Sequence, residues 1–172
     1  MIDLAELFKN KSIKPKEKIE QISQLLLSGE LSPVELIDYA MKAKDPEKAS
    51  CMEAFEFATR TDKNIISEVI FVFAVDSLSA KAPRLKWESA KVIGNTAAHY
   101  SKKLDKAING LLINTKDAGT VVRWASGYAL GEILKLKTKH QEEILERVEE
   151  IIESEEKNSI KKIYQAALKK LK

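Results

Sequence analysis

Arg84-Leu85-Lys86-Trp87-Glu88-Ser89-Ala90-Lys91-Val92-Ile93-Gly94 returns 37 positions later as Val121-Val122-Arg123-Trp124-Ala125-Ser126-Gly127-Tyr128-Ala129-Leu130-Gly131. Trp87 aligns with Trp124, Ser89 with Ser126 and Gly94 with Gly131. Self-similarity at this spacing marks a stacked repeat array, in which one unit cannot bury its apolar face alone and uses its neighbour's. A weaker copy fits residues 50–60 at a spacing of 35, with Met52 for Trp87, Glu53 for Glu88, Ala54 for Ser89 and Phe57 for Val92.

Working outward, the segments on either side read as helices with explicit start and stop signals. Pro15 suits the first turn of a helix, where its missing N–H costs nothing, and Gly29 stops that helix. Ser32-Pro33-Val34-Glu35 is a capping box, and Asp45-Pro46 repeats the cap-and-proline signal. Asp62 is expected to cap a helix running to about Leu78. Its run Val69-Ile70-Phe71-Val72-Phe73-Ala74-Val75 is also strand-like, but with helical repeats on both sides it reads as a helix buried on most of its circumference. Helices are predicted over 83–100, over 102–116 behind a Ser101 cap, over 120–135, over 139–154 behind a Thr138-Lys139-His140-Gln141 box, and over 158–171.

Composition places the chain among helix-rich proteins with a core. Of its 172 residues 44% are hydrophobic and 32% charged, with 6 Gly and 4 Pro. Cys51 is the only cysteine, which excludes an internal disulfide and a thiolate zinc cluster and leaves a buried, inert thiol as the expectation. The first residues carry two acids and no basic flank, and the longest apolar run is far short of the roughly 20 residues that span a bilayer. A cytoplasmic protein without a membrane role is expected. The net charge of +3 is unevenly spread: residues 81–139 hold 12 Lys/Arg and 4 Asp/Glu, a local +8, against −4 before them and −1 after.

Asp117-Ala118-Gly119-Thr120-Val121-Val122-Arg123-Trp124 through Gly131-Glu132-Ile133 resembles the first helix of a HEAT-like repeat, whose usual form has Val-Arg, then alanines, then Ala-Leu-Gly, and Pro83 through Asn95 is similar but looser. The resemblance covers 83–171 well, 46–80 fairly and 1–44 not at all. It implies an all-α fold, an α-α superhelix or right-handed solenoid of HEAT-like helix pairs with about 9–10 helices. As one domain over 1–172, this would comprise capping helices in 1–44, repeats at 45–82, 83–119 and 120–157, and a capping helix at 158–172.

Such arrays serve mostly as binding scaffolds. The expected function is therefore a non-enzymatic protein-interaction module presenting a groove lined by the second helix of each pair. A protein or peptide is the first partner, and a nucleic acid bound by the basic segment 81–139 is the alternative. No catalytic residue, metal site or small-molecule cofactor is expected: His99 and His140 lie 41 residues apart, and the chain has no Gly-rich phosphate loop. HEAT-like alkylpurine DNA glycosylases use tryptophans, an aspartate and an arginine, but here four residues beyond Trp87 stands Lys91, and beyond Trp124 stands Tyr128, so that chemistry is missing. The candidate partner-binding residues are Arg84, Lys86, Trp87, Lys91, Lys102, Lys103, Lys106, Arg123 and Trp124, with both tryptophans read first as wedges between repeats and second as a binding pair.

Overall fold

Proline and capping signals decide where each helix starts. The computed structural model describes residues 3–171; residues 1 and 2, in the expected N-terminal capping segment 1–44, and residue 172, in the expected cap 158–172, lie outside them. The helices are α1 (Leu4–Lys9), α2 (Pro15–Ser28), α3 (Pro33–Lys42), α4 (Asp45–Thr61), α5 (Glu68–Ser77), α6 (Pro83–Thr96), α7 (Asp105–Asn114), α8 (Thr120–Leu134), α9 (Gln141–Ser154) and α10 (Asn158–Lys169), with short 3₁₀ turns at Lys63–Ile65 and Ala97–Tyr100. Prolines stand in the first turns of α2, α3, α4 and α6. The Ser32 box forms as expected: the Glu35 carboxylate accepts from the Ser32 N–H at 2.9 Å, and Ser32 Oγ accepts from the Glu35 N–H at 3.2 Å. Gly29 ends α2 in the left-handed region, at φ 78°.

Four expected caps act differently. Asp45 is the first residue of α4 and not its cap, the N-cap position being Lys44. Asp62 caps the 3₁₀ turn, accepting from the Asn64 N–H at 2.9 Å, and α5 starts only at Glu68. Ser101 caps nothing, because the chain leaves α6 through a 3₁₀ turn and α7 starts at Asp105. Thr138 accepts from the His140 N–H at 3.3 Å instead of from the first turn of α9. The cause lies just upstream, where Lys137 takes a left-handed φ of 50° and redirects the chain. The apolar run of α5 is buried at Ile70, Phe71, Phe73, Ala74 and Val75 but leaves Val69 and Val72 exposed.

The helices form two layers. In one, α2, α4, α6, α8 and α10 pack successively and closely; in the other, α3, α5, α7 and α9 touch one another sparsely and pack down onto the first. Small residues explain the close layer. A Cβ on Gly94 would stand 2.5 Å from the Tyr128 ring, one on Gly127 would stand 2.9 Å from both Ile163 and Tyr164, and one on Gly131 would stand 3.0 Å from Ala167. Ser89 and Ser126 are fully buried and turn their hydroxyls back to the carbonyls of Leu85 and Val122 at 2.6 and 2.8 Å. A single core runs between the layers from Leu4 to Tyr164. Its fully buried members include Phe55, Ile93, Leu104, Leu111, Leu130 and Ile133, each adding about 1.5–3 kcal/mol.

Burial corrects the register of the early repeat. Met52 is fully buried and does not take the place of half-buried Trp87. The burial patterns of α4 and α6 coincide at a spacing of 34, which sets Glu53 against Trp87, Phe57 against Lys91 and buried Ala58 against buried Val92. The same comparison sets α10 against α8 at a spacing of 38, with Lys161 against Arg123 and Lys162 against Trp124.

Candidate protein-binding face

The outward side of the close layer carries the large unburied aromatic groups of the central repeats. On α8, Trp124 is 38% exposed and stacks on Tyr128, one turn later, with centroids 6.2 Å apart and planes 5° from parallel. Helical spacing of four produces this pair, since residues at i and i+4 lie on one face. Tyr128 leans toward α6 over Gly94 and donates its hydroxyl to Asn95 Oδ1 at 2.9 Å. Asn95 in turn donates to the Glu56 carbonyl and to Thr59 Oγ1, both at 3.2 Å, so α4, α6 and α8 are tied beneath the face. Burial pushes the Tyr128 hydroxyl above its usual pKa.

On α6, Trp87 is half-buried and donates its indole N–H to Glu88 Oε1 at 2.8 Å, while Lys91 stands 2.8 Å from Glu88 Oε2. Burial pushes the Glu88 carboxyl up, against the pull of Lys91. On α4, Phe57 lies under the Arg60 guanidinium, 5.5 Å from the ring centroid. Wedging between repeats therefore does not describe Trp124. The groups that fill the space between close-layer helices are Tyr128, Ile163 and Tyr164, each against a glycine.

The nine candidate residues fall in three places. Trp87, Lys91 and Trp124 share the aromatic face. Arg84, Lys86 and Arg123 sit near helix starts and reach across to neighbouring repeats. Arg84 meets Glu53 and Ser50, and Lys86 meets Asp117 at 2.7 Å. Arg123 meets Glu155 at 2.9 Å and donates to the carbonyls of Asp117 and Ala118. Lys102, Lys103 and Lys106 lie beside the looser layer, where Lys103 pairs with Glu68, Lys106 pairs with Asp76, and Lys102 is exposed without an ion pair among the described residues. No single basic stripe results.

About half of the local +8 is consumed in this way, because four of the carboxylates that answer it come from outside the segment. Eight of the twelve cations in 81–139 have a carboxylate within 4.0 Å, the exceptions being Lys81, Lys102, Lys116 and Lys137. Seven ion pairs of these cations, Lys91–Glu56 at 4.0 Å included, join residues 30 to 35 positions apart, about one repeat. Hydrogen bonds from Lys86 and Arg123 hold the carboxyls of Asp117 and Glu155 below the usual carboxylate range.

Sequence reasoning missed Tyr128, Phe57 and Arg60 as members of the face, although the spacing of Tyr128 from Trp124 signalled it. It also missed α10, whose Lys161, Lys162 and Lys169, with Lys170 just beyond, have no carboxylate partner among the described residues. Cys51 is fully buried, and burial pushes its thiol up to about 12. No helix among the described residues is long and apolar enough to cross a membrane.

Two layers of antiparallel helix pairs at a 34–38-residue period, closed by small residues on one side, define a helical-repeat protein of the HEAT/armadillo type. A family model described as "Stalled ribosome sensor GCN1-like, HEAT repeats" matches residues 36–172, and the chain belongs to this family. Among solved structures, the chain is similar to one from the complex of CpcE and CpcF of phycocyanin lyase from Nostoc sp. PCC7120, with a TM-score of 0.70, 18% identity, and coverage of 96% of this chain and 95% of that one. It is also similar to a designed armadillo repeat protein in complex with the peptide (KR)4, with a TM-score of 0.73, 21% identity, and coverage of 98% and 80%. At these identities the likeness concerns the fold. No curated protein matches the chain significantly.

Proposed function

We propose that the whole chain acts as one non-enzymatic interaction domain and that its binding face is the outward side of α4, α6, α8 and α10. One observation carries this reading: Trp124, stacked on half-buried Tyr128, is open to solvent on the same face as Trp87. Exposed aromatic side chains with little conformational freedom are the groups that anchor protein interfaces.

The curvature of a repeat stack points the same way. A stack bends toward the layer whose helices approach most closely, and here that is the layer of α4, α6 and α8, the first helices of their pairs. The groove therefore belongs to the first helices and not to the second. Protein partners also fit the two similar folds, one found in a complex of two proteins and the other with a peptide. The nucleic-acid alternative loses its motive, since the cations that suggested it are mostly held by carboxylates.

Capture of partners by the wild type and by a Trp87→Ala/Trp124→Ala variant, followed by hydrogen exchange of the recovered complex, tests the reading. Partners lost in the variant, with protection confined to α4, α6, α8 and α10, are the expected result. Partners retained by the variant, or protection on α5 and α7, overturn it.

A further inference from the structure

We infer that the partner segment is acidic and that it docks across α8 and α10, a deepening that rests on the binding face proposed above. Four features converge there. A slot of about 200 Å³ runs between the two helices, with Gly127, Gly131 and Ala167 as its small-residue floor and Tyr128 and Lys170 on its walls. Trp124, the stacking partner of Tyr128, stands beside it and is open to solvent.

The third feature is charge. α10 contains three lysines and no acid, and Lys170 follows at its end. Lys162 stands where the previous repeat has Trp124, so it extends the same outward row. Unlike eight of the twelve cations of 81–139, these lysines meet no carboxylate among the described residues. Lys161 takes the place of Lys86 and Arg123, which are answered by Asp117 and Glu155 just before the next helix of the close layer.

The fourth feature selects a short acidic segment over a nucleic acid. α9, immediately before α10, carries six glutamates and one arginine, while Glu132 in the slot is held by Lys135, which also lines it. A long polyphosphate chain leaving the lysines would meet this acidic flank, whereas a segment with two or three carboxylates and an apolar residue for the Trp124–Tyr128 pair would not. Its binding should be salt-sensitive but shallowly so, because few charges are matched.

A displayed library of random short peptides, selected on the intact protein, tests the inference together with the exposed-site variants Trp124→Ala and Lys162→Glu/Lys170→Glu. Binders enriched in Asp and Glu are expected, weakened about 30-fold by Trp124→Ala as for an interface anchor and weakened again by the charge reversal. Binders that are neutral or basic yet still lost in Trp124→Ala overturn the acidic partner and leave the face standing. Binders indifferent to Trp124→Ala, or no enriched binder at all, overturn both. Oligothymidylate that binds more tightly than the acidic peptides overturns the inference in favour of a nucleic acid.

Discussion

The cations of the central repeats and those of α10 occupy matching places and meet opposite fates. Arg123 sits 18% exposed between Glu155 and two backbone carbonyls, while Lys161, its counterpart 38 residues later, meets no acid among the described residues. The difference shows that a local charge excess in a repeat sequence says little about free charge. In a stack, the counter-charge comes from about one repeat away, so a +8 stretch can be half neutralised while a nearly balanced one leaves lysines without an acid among the described residues.

Several substitutions break or sharpen that contrast. The largest effect is expected from Gly127→Val, which forces apart the two regions being compared: its Cβ would press on Ile163 and Tyr164 at 2.9 Å, and urea denaturation should show a loss of about 3 kcal/mol. Next, Arg123→Ala leaves Glu155, only 7% exposed, without its counter-charge and should cost about 2 kcal/mol. Lys161→Ala, the same change one repeat on, should stay within about 0.5 kcal/mol. Equal costs for the two would erase the distinction.

Acid sharpens it further. Asp117 and Glu155 are lowered in the folded state, so the stability they contribute is fully present above the unfolded-state carboxylate pKa of about 4 and is lost as pH falls through their folded values. The melting temperature should therefore drop below about pH 4, and less steeply in Arg123→Ala than in the wild type. A drop of equal slope in both would remove the inter-repeat pair as its source. The smallest effect belongs to Tyr164→Phe: the hydroxyl is fully buried on α10 without a hydrogen-bond partner, so its removal should be neutral or stabilising by up to about 1 kcal/mol.

The 37-residue recurrence made α6 and α8 legible, and prolines with the Ser32 box located α2, α3 and α4. These signals are local, and so they survive in a single sequence. The ion pairs were not legible, because Asp117, Glu155, Glu68 and Asp76 reach their partners across a repeat and only the stack sets those distances. The exposure of Trp124 was misjudged for a related reason: Gly127, three positions on, admits Ile163 and Tyr164 as the inter-repeat filling and leaves the tryptophan no gap to enter. The start of α7 and the lost Thr138 box depend on the turns at Tyr100 and Lys137, which carry no glycine or proline to announce them.

The central claim is that the close layer, and not the looser one, meets the partner. Ile113 is the natural comparison, being 71% exposed on α7 in the looser layer, against 38% for Trp124. A photo-crosslinking residue placed at position 124 in one sample and at 113 in another, irradiated in the source cell, reads this directly. Adducts from position 124 and none from 113 are the predicted result. Adducts from 113 alone would contradict the account.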